Sequence, residues 1–380
     1  MTAKIVLAAN TAWYLVNFRL NLAQALQQAG FEVVAVAPPA QCSSQIEAAG
    51  VRFVPMPLDR KGKNPLRDFS YFFRMLDLLR REQPSFFLGW TIKPNIYGGF
   101  ACRLLRIPSI HNISGLGTAF TRESWVTQIA KILYRQSLKR AKVVFFQNPD
   151  DLDQFIGLGL VGSKQARRLP GSGVDIVRFL PQPLIKMDRE RPFRFLLIAR
   201  ILWDKGIGEY VEAARRLKAE GRDVECQMLG FLGDDNVTAV SSDQVADWER
   251  AGFIRFLGPK EDVRPQIAEA DCVVLPSYRE GTPRSLLEAA AMARPIITTD
   301  VVGCREVVDD GETGFLCRAR DAIDLTEKMG RMMDLSHDSR ATMGEKGRVK
   351  IELQFDERIV IERYLDAIES DRSAKDLAIQ

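Results

Sequence analysis

Two carboxylates stand eight residues apart in SYREGTPRSLLEAAAMARP, residues 277–295. Glu280 lies in a Gly/Pro turn, whereas Glu288 lies in an otherwise apolar segment that predicts a helix. Thr282 is a good N-cap and Pro283 suits the first helical position, so we expect the helix to begin there. A carboxylate among Leu, Ala and Met is costly to bury unless a partner compensates its charge. The segment therefore predicts a partner beside Glu288.

A pair of basic residues stands at the end of a predicted strand. In FLLIARILWDKGIGEYVEAARRL, Arg200 follows the apolar run, and Lys205 and Gly206 come shortly before a helix. Such a place suits phosphate, because side-chain cations and free backbone N–H groups converge there. The alternative is that both basic side chains are solvated loop charges.

The start of the predicted Glu288 helix offers an anion the N–H groups around Thr282 and Arg284. Further along, Glu288 can accept hydrogen bonds from a vicinal diol such as that of a ribose. Glu280 can hold hydroxyl groups that lie beyond a phosphate. The alternative is that Glu288 is neutralised by one of the two bases above or by another base of the same domain.

Two turns at strand ends complete the candidate set. Gly230 ends the strand in MLGFLGDD, and Gly258 and Pro259 in FLGPKEDVRP precede Asp262, which predicts a helix N-cap. Both turns suit a close approach of the backbone to a flat ligand, and an ordinary turn explains either of them equally well.

The composition is that of a globular protein with room for two domains. The chain has 380 residues, of which 46% are hydrophobic and 27% charged. No apolar run approaches the roughly 20 residues of a spanning helix, and the first residues, MTAKIVLAAN, predict a buried strand because they lack a cleavage pattern. Residues 1–170 contain 22 Lys and Arg against 10 Asp and Glu, whereas the remainder contains 31 against 39. The basic half indicates an anionic partner: nucleic acid, an acidic membrane surface or a phosphate-bearing substrate.

Cysteine and histidine usage bears on metals and location. Six cysteines are scattered without a CxxC pair, and the histidines are His111 and His337. Several cysteines lie in apolar segments such as ADCVVLP, which predicts reduced core thiols and a cytoplasmic location. Zinc-site spacing is absent, so we expect no metal site built by the protein. Nucleic acid is a poor candidate partner, since the sequence has no interleaved aromatic and basic RNA-binding motif.

The elements that must position the candidate residues alternate between apolar runs and amphipathic segments of helix length. Continuous apolar strands separated by helices are typical of parallel sheets covered on both faces. We therefore expect an α/β protein of two doubly wound domains that face each other across a cleft, with ligands at the carboxyl ends of the strands. The predicted strands are KIVLAAN, FEVVAVA, VRFVPM, SFFLGW, IPSIHNI and VVFFQN in the first half, and FRFLLIAR, VECQMLG, FIRFLG, CVVLPS, PIITTD and TGFLC in the second.

The Gly- and Pro-rich segment RRLPGSGVDIVRFLPQP marks the boundary between the halves. The predicted domains are residues 1–170 and 171–352, followed by a C-terminal segment, 353–380. That segment contains FDERIVIERYLDAIES, which has helical spacing and can pack back across the two domains. The polar stretch GDDNVTAVSSDQVADWE predicts a loop that leads into a short helix.

Four ordered motifs resemble a known enzyme family. They are GSGVDIVRF at the predicted junction, the Arg-x4-Lys-Gly of ARILWDKG, the Glu-x7-Glu of REGTPRSLLE, and GCREVVDDGETGFL. Over roughly residues 171–315 they resemble the retaining nucleotide-sugar glycosyltransferases of family 4. The resemblance implies the GT-B fold of two Rossmann-like domains, the first binding the acceptor and the second binding the donor.

The first half resembles a subgroup of that family. TIKPNIYGGFACRLLRIPSI, NISGLGTAF and FFQNPDDLDQFIGLGLV are similar to bacterial enzymes that extend lipid-linked oligosaccharides for O-antigen, capsule or protein N-glycans. NFR, which contains Asn17 and Arg19, is similar to the acceptor-side loop of transferases that add N-acetylgalactosamine to a bacillosamine-type sugar on undecaprenyl diphosphate. The resemblance implies a UDP-sugar donor, an N-acetylhexosamine such as GalNAc or GlcNAc, and a polyprenyl-diphosphate-linked saccharide acceptor. It also implies a peripheral location at the inner face of the plasma membrane.

Carried over residue by residue, the resemblance implies roles in donor binding. Arg200 and Lys205 hold the donor diphosphate, and the amides of Gly281 and Thr282 complete its cradle. Glu288 binds the ribose hydroxyls, which would explain an acid in an apolar helix without a protein ion pair.

The resemblance also implies that Glu280 lies by the transferred sugar and the phosphate. Gly230 and Pro259 are assigned to the donor nucleotide as turns that suit a close approach to a flat ligand. The leaving nucleoside diphosphate gains negative charge, which fixed cations and helix amides stabilise. When the departing phosphate oxygen takes the acceptor's proton, the sugar keeps its configuration without a carboxylate nucleophile. We therefore expect an orienting role for Glu280 and no metal cofactor.

The first half departs from the family in one stretch. Many relatives carry a histidine there that touches the transferred sugar, whereas this chain has Ser114, with His111 three residues earlier. Thr91 and Lys93 likewise occupy a stretch where some members have histidines. His111 is either a replacement on the acceptor side or a strand-end histidine that is hydrogen-bonded locally.

The segment NPLRDFSYFFRMLDLLRREQP interleaves apolar residues with arginines. Its spacing fits either a core-facing helix or an interfacial helix on anionic lipid. Arg60, Lys61 and Lys63 favour the second alternative, since each nearby basic residue contributes about 1 kcal/mol to binding an acidic bilayer. The apolar residues assigned to one face of this helix are Leu66, Phe69, Phe72, Phe73, Leu76 and Leu79.

Three other functions share features with this sequence. A GT-B sugar-nucleotide epimerase has the same two-domain fold, but its first-domain acids and histidines are not found. A nicotinamide dehydrogenase requires G-x-G-x-x-G after its first strand, and AANTAWYLVNF has no glycine. A non-catalytic nucleotide-binding scaffold would bind UDP tightly without turning over any donor.

Overall fold

Two parallel β-sheets, each covered by helices on both faces, organise the chain. In this computed structural model the described residues are 2–59, 65–115, 125–186, 191–233 and 236–377. The chain divides into two units, the first comprising Met1–Ser172 with Ile359–Gln380 and the second comprising Gly173–Arg358.

The sheet of the first unit has seven strands among the described residues, in the order β3-β2-β1-β4-β5-β6-β7, and all of its pairings are parallel. The strands are β1 Lys4–Ala8, β2 Glu32–Ala37, β3 Arg52–Pro55, β4 Phe86–Trp90, β5 Ser109–Ile113, β6 Val143–Phe146 and β7 Ala166–Arg168. The helices between them are α1 Ala12–Gln28, α2 Ser43–Ala48, α3 Pro65–Glu82, α4 Gly99–Leu105, α5 Trp125–Leu138 and α6 Pro149–Gly157, with a π-helical turn at Pro94–Gly98.

The sheet of the second unit has six strands among the described residues, in the order β10-β9-β8-β11-β12-β13, again all parallel. The strands are β8 Phe193–Ile198, β9 Val224–Leu229, β10 Arg255–Gly258, β11 Cys272–Leu275, β12 Ile296–Thr299 and β13 Gly314–Cys317. The helices are α7 Ile207–Ala219, α8 Ser242–Arg250, α9 Arg264–Glu269, α10 Arg284–Ala291, α11 Ala322–Asp334 and α12 His337–Gln354, with a 3-10 turn at Trp203–Lys205; α13, Glu357–Leu377, ends the described chain.

The apolar runs form strands because both faces of each sheet are buried. In β1, Ile5 and Leu7 face one hydrophobic cluster, whereas Val6 and Ala8 face another on the opposite side. This burial confirms the predicted α/β, doubly wound class and all twelve predicted strands. A thirteenth strand, β7, escaped prediction because it has three residues, two of them arginines.

Both sheets reverse their strand order at one point. The chain adds β2 and β3 on one side of β1 and then returns to β4 on its other side; β8 is flanked by β9 and β11 in the same way. The helices leave in opposite directions at such a switch point, so a crevice opens at the carboxyl ends of the two central strands. Each unit therefore has one preferred place for a ligand.

The last helix belongs structurally to the first unit. Val360, Tyr364 and Ile368 of α13 are buried in a core that includes residues of α1 and β4. The Tyr364 hydroxyl accepts hydrogen bonds from Trp90 Nε1 at 3.0 Å and from Asn112 Nδ2 at 3.1 Å. The helical spacing of the C-terminal segment is confirmed, and α12 runs to Gln354 before α13 begins at Glu357.

Of three local expectations, one is wrong and two are confirmed. The helix containing Glu288 begins at Arg284, with Pro283 as its N-cap and no side-chain capping bond, so the predicted Thr282 cap is wrong. The ψ angle of Pro283 is extended, at 112°, which delays the helix by one residue. The short helix after the polar stretch is confirmed as α8. All six cysteines are free thiols, as predicted, and five of them are buried.

Candidate active site at the switch point of the second sheet

The predicted basic pair and the first predicted glutamate meet at the switch point of the second sheet. Arg200 and Lys205 follow β8, and Glu280 follows β11, the strand paired directly with β8. Parallel strands carry their carboxyl ends to one edge, so two segments 75 residues apart in sequence converge there. Lys205 and Glu280 form an ion pair, and Arg200 is exposed at the same edge.

The turn that carries Lys205 is held against the chain leaving β11. Gly206 has a φ of +72°, and a Cβ atom there would lie 2.1 Å from the carbonyl oxygen of Pro276. The Tyr278 N–H and the Ser277 hydroxyl both donate to the carbonyl oxygen of Asp204, at 3.0 and 3.2 Å. A side chain at Gly206 would separate the two segments, so this glycine is required by packing as well as by its backbone angle.

The Lys205–Glu280 pair is close to the surface without being exposed. Lys205 Nζ donates to Glu280 Oε1, with 18% and 15% of the two side chains accessible. An anion that enters the crevice can share or take over the Lys205 ammonium. That exchange would free the Glu280 carboxylate to accept hydrogen bonds from neutral hydroxyl groups.

The Glu280 turn is fixed from its other side by Val302 and by Gly303, the first residue of the GCREVV motif. The Glu280 N–H donates to the carbonyl oxygen of Val302 at 3.1 Å. Gly303 has a φ of +83°, and a Cβ atom there would lie 2.3 Å from the carbonyl oxygen of Gly281. Sequence reasoning noted this motif without giving Val302 or Gly303 a role; the glycine after a strand was the signal.

Glu288 has a protein partner, which corrects the expectation of no protein ion pair. Arg284 Nε donates to Glu288 Oε1 at 3.0 Å, one turn earlier on α10, and the side chains are 16% and 15% accessible. Burial raises the pKa of Glu288 above its ordinary value, and the charges of Arg284 and Arg178 oppose that rise. The ion pair expected for the alternative of another base in the same domain is therefore present, and the binding of a ribose by Glu288 stays a prediction. The i,i+4 spacing of Arg284 and Glu288 was the missed signal.

The start of α10 combines two sources of positive potential. The unpaired amide dipoles of a helix N-terminus attract anions, and Arg284 is the first helical residue. Gly281 and Thr282 lie in the turn just before it, each partly accessible. This end of the helix therefore suits an anion that is held near Lys205 as well.

The two other predicted turns have internal reasons for their residues. Gly230 has a φ of +156°, and a Cβ atom there would lie 1.7 Å from the carbonyl oxygen of Ala199 at the end of β8. Its N–H donates to the carbonyl oxygen of Gly258 at 3.2 Å. Pro259 is exposed. The predicted Asp262 N-cap is wrong: Val263 is the N-cap of α9, and Asp262, one residue earlier, accepts from the Arg264 N–H at 3.1 Å. The close approach at Gly230 is to the chain itself, which favours the ordinary-turn alternative.

The acceptor-side candidates of the first unit lie in different environments. Asn17 is partly exposed on α1 and donates to the carbonyl oxygen of Trp13 at 2.9 Å. Arg19 is 2% exposed, donates to the Tyr14 hydroxyl at 3.2 Å, and lies 5.1 Å from the centre of the Trp90 ring. Asn17 can reach a ligand in this arrangement, whereas Arg19 packs the interior of the first unit.

His111 is part of the core of the first sheet. Its Nδ1 lies 3.2 Å from Asn95 Oδ1 and its Nε2 lies 3.0 Å from Ser109 Oγ, with no accessible surface. Burial lowers the pKa of His111 to about 3, which keeps the ring neutral. This environment favours the locally hydrogen-bonded alternative. Ser114 follows β5 and is partly exposed.

Lys93 and Thr91 stand where β4 ends. Lys93 Nζ donates to Asp68 Oδ1 at 2.5 Å and to the carbonyl oxygen of Asp59 at 2.6 Å. The Tyr97 hydroxyl donates to Asp68 Oδ2 at 3.0 Å. Thr91 has a φ of +68°, a left-handed conformation that is unusual for threonine. These contacts bind α3 to the turn after β4.

Within the described ranges, no group of three His, Cys, Asp or Glu side chains is arranged to hold a metal ion. No helix in those ranges has the length and hydropathy needed to cross a membrane.

Two family models match the chain in order. The model described as glycosyl transferase 4-like domain matches residues 16–171, and the model described as glycosyl transferases group 1 matches residues 192–334. The second match includes Lys205, Glu280 and Glu288.

Known proteins are similar to the chain over nearly its whole length. It is 27% identical over 367 residues, 92% of this chain and 94% of the relative, to the N,N'-diacetylbacillosaminyl-diphospho-undecaprenol alpha-1,3-N-acetylgalactosaminyltransferase of Campylobacter jejuni. It is 24% identical over 369 residues, 93% of this chain and 95% of the relative, to the lipopolysaccharide core biosynthesis glycosyltransferase LpsE of Rhizobium meliloti. The crystal structure of Anabaena Alr3699/HepE in complex with UDP-glucose has a TM-score of 0.79 at 15% identity, covering 97% of this chain and 99% of that one.

The fold is the two-domain α/β fold of the GT-B class, and the resemblance of the four motifs to glycosyltransferases is confirmed. The chain belongs to the glycosyltransferase family that the two models describe.

Proposed function

We propose that the protein is a retaining glycosyltransferase that moves an N-acetylhexosamine, such as GalNAc or GlcNAc, from UDP to a polyprenyl-diphosphate-linked saccharide. The reaction would extend a glycan for a bacterial surface polysaccharide or glycoprotein. The name of the Campylobacter jejuni relative, which describes transfer of N-acetylgalactosamine to an undecaprenol-linked sugar, supports the donor sugar and the acceptor class. The name of the LpsE relative supports a place in polysaccharide assembly.

The observation that carries the proposal is the Lys205–Glu280 pair at the switch point, with Glu288 a short distance along α10. A nucleotide sugar needs a cation for its diphosphate and acceptors for two sets of hydroxyl groups. Glu288 would accept hydrogen bonds from the ribose hydroxyls, and Glu280 would accept them from the hydroxyls of the transferred sugar. Lys205 would supply the cation for the diphosphate. Arg200, which is exposed at the end of β8, would close over the diphosphate from solvent.

The turn before α10 would supply the remaining contacts to the diphosphate. Backbone N–H groups of Gly281 and Thr282 lie next to the positive end of the helix, where an anion is stabilised. Gly230 and Pro259, at the ends of β9 and β10, would border the base. Because these groups are fixed by the packing of Gly206 and Gly303, they need little reorganisation as charge develops.

The chemistry follows from the charges. Departure of the diphosphate leaves an oxocarbenium-like sugar, and Lys205, Arg200 and the helix amides stabilise the leaving anion. The departing phosphate oxygen takes the proton of the attacking acceptor hydroxyl on the same face, so the sugar retains its configuration. Glu280 orients the sugar and does not attack it, and no metal is required, because the protein cations neutralise the diphosphate.

The acceptor is assigned to the first unit, with Asn17 and Ser114 as accessible candidates. A lipid-linked acceptor places the reaction at a bilayer, so the proposal includes peripheral attachment to the inner face of the plasma membrane. The excess of Lys and Arg in residues 1–170 supports an anionic surface there.

A donor screen tests the proposal. UDP-, GDP- and dTDP-sugars are offered with a polyprenyl-diphosphate-linked saccharide, products are detected by mass spectrometry, and NMR determines the new anomeric centre. We expect turnover with a UDP-N-acetylhexosamine and an α-anomer from an α-linked donor. An inverted product would overturn the mechanism, and binding of UDP without turnover of any donor would overturn the enzyme assignment.

A further inference from the structure

Three helices lie side by side on one face of the first sheet. Helix α3 packs against α4, and α4 packs against α5. The inner side of α3 is buried against the sheet through Tyr71, Met75, Leu78 and Leu79. The expectation that six apolar residues share one face of this helix is therefore wrong. Of the predicted set, Leu79 lies on the buried face, whereas Leu66, Phe69 and Phe73 are exposed.

The outer surface of α3–α5 is defined here by the exposed apolar side chains of these three helices. On α3, Leu66, Phe69 and Phe73 are 78%, 60% and 59% exposed and follow each other at intervals of three and four residues. Such spacing places them in one stripe along the helix. The neighbouring helices add Leu104 at 65%, Ile129 at 46% and Ile132 at 60%. Large exposed apolar side chains grouped on one layer mark an interaction surface.

The charges on the same helices are predominantly basic. Each acidic side chain of α3 has a basic partner: Asp68 pairs with Lys93, Asp77 with Arg81, and Glu82 with Lys4 and Arg52. The described parts of α4 and α5 contain no Asp or Glu. The basic residues of the three helices are Arg67, Arg74, Arg80, Arg81, Arg103, Lys131 and Arg135.

We propose that the outer surface of α3–α5 docks on an anionic lipid bilayer. Exposed Phe, Leu and Ile side chains insert into the headgroup region, and arginines extend their charged ends to lipid phosphates from the same helices. Charge decides against a second copy of this chain as the occupant, since a two-fold contact would bring the same arginines together. The proposal rests on the proposed function, which already includes attachment to a bilayer, and deepens it by naming the surface that makes the attachment. Arg60, Lys61 and Lys63, which the sequence also assigned to lipid, lie outside the described residues.

Vesicle flotation of the full chain tests the surface. One set of vesicles contains phosphatidylcholine alone, and the other contains equal parts of phosphatidylcholine and phosphatidylglycerol. We expect binding to the anionic vesicles that weakens as salt is added, because added ions screen the attraction. Arg67→Gln with Arg74→Gln should weaken binding at low salt by ~5-fold for each charge removed. Phe69→Ser with Phe73→Ser should weaken it by at least ~10-fold at any salt concentration.

The matched control is Val349→Ser with Leu353→Ser on α12, where both side chains are comparably exposed, at 52% and 72%, in the second unit. We expect this variant to float like the unchanged protein. Equal binding to neutral and anionic vesicles would overturn the proposal, as would an α3 variant that floats normally or a control that loses binding to the same extent. A dimer detected by sedimentation, lost in the phenylalanine variant and accompanied by no vesicle binding, would assign the surface to a second copy instead.

A transfer assay separates this proposal from the proposed function. The acceptor carries a short, water-soluble lipid, so no bilayer is present. The α3 variants should turn over the donor at the rate of the unchanged protein, because their substitutions lie on an exposed helix face. If the protein binds anionic vesicles as described but turns over no donor, the docking surface is supported and the enzyme assignment is refuted. If the α3 variants turn over the donor normally and float like the unchanged protein, the enzyme assignment is supported and the docking surface is refuted.

Discussion

The two sheets have the same strand order around their switch points, yet the polar side chains of the two units differ in their exposure. In the first unit, Arg19 and His111 are almost completely buried and hydrogen-bonded to protein groups. In the second, Lys205 and Glu280 remain within reach of a ligand, at 18% and 15% exposure. Topology thus provides a crevice in each unit, and the local residues decide whether it can take part in chemistry.

Two lysines make the difference concrete. Lys93 and Lys205 each follow the central region of a sheet, each pairs with a carboxylate, and their exposures are similar, at 15% and 18%. Lys93 also bonds a backbone carbonyl, and its partner Asp68 also accepts from Tyr97, so this cluster ties elements together. Among the described residues the Lys205 ammonium donates to Glu280 and to no backbone carbonyl, which would suit a group that exchanges partners.

Replacing Lys205 should have the largest effect on activity. We expect Lys205→Ala to lower kcat by roughly 10²-fold or more, because a charge that stabilises the leaving diphosphate is lost. Steady-state kinetics with the donor found in the screen provide the measurement. Lys93→Ala is the matched control: it should keep kcat within a few-fold and lower the free energy of unfolding by about 1–3 kcal/mol in urea titrations. Unchanged turnover in Lys205→Ala would refute the assignment.

Gly303 tests whether the Glu280 turn must be held in place. Gly303→Ala should lower kcat/KM by roughly 10-fold to 100-fold, since its Cβ atom would force back the carbonyl of Gly281 and displace the Glu280 turn. Kinetics and thermal melting are measured on the same samples.

Gly311→Ala separates the contact from the backbone angle. Gly311 has nearly the same φ, +79° against +83°, but a Cβ atom there meets nothing within 4 Å. This variant should lose only about 1 kcal/mol of stability, the cost of a left-handed alanine, and should keep its activity. Equal loss of activity in both variants would show that the displacement of Gly281 is not the cause.

The candidate site of the second unit was predictable because most of its residues lie in short segments that follow strands. Arg200, Lys205, Glu280 and Glu288 could be assigned to one edge from strand order alone, and the doubly wound class followed from uninterrupted apolar runs. The ion pair between Lys205 and Glu280 was not predictable, because it depends on how two turns 75 residues apart pack around Gly206.

The first unit was harder to interpret from sequence. The interior position of Arg19 depends on Trp90 and on Tyr14, and Trp90 is itself bonded to Tyr364, which lies 274 residues away in α13. Helix α3 shows the same difficulty, since two apolar stripes run along it and periodicity alone does not say which one meets the sheet. Such choices are made by tertiary packing and leave no local pattern.

Glu288 and Arg284 form the next test of the second site. Glu288→Gln should raise KM for the donor by about 10-fold with little change in kcat, since a charged hydrogen bond to the ribose is lost. In the unchanged protein KM should rise as pH falls through the pKa of Glu288, because a neutral carboxyl group is a weaker acceptor. Arg284→Gln removes a charge that opposes the raised pKa, so the rise in KM should begin at a higher pH. If the pH profile of KM is identical in Arg284→Gln and in the unchanged protein, the coupling between Arg284 and the pKa of Glu288 is contradicted.

The same pKa sets the sign of a stability effect. Burial raises the pKa of Glu288 in the folded state above its unfolded value of about 4.3. Its contribution to stability is therefore present below that value and is lost as pH rises through the folded pKa. Relative to the unchanged protein, Glu288→Gln should gain stability across this window, as measured by urea unfolding at a series of pH values.

His111→Gln should have the smallest effect on catalysis and a clear effect on acid stability. The folded-state pKa of His111 is about 3, below the unfolded value of about 6.5, so its contribution is present above pH ~6.5 and is lost as pH falls. Between pH 7 and 4.5 the unchanged protein should lose roughly 2 kcal/mol of stability through this residue, and the variant should not. Its kcat at pH 7 should stay within about twofold, because the ring nitrogens bond Asn95 and Ser109 inside the first sheet. A loss of kcat larger than ~10-fold with an unchanged melting temperature would mean instead that His111 reaches the sugar. The first unit would then, like the second, have a polar side chain that takes part in the reaction.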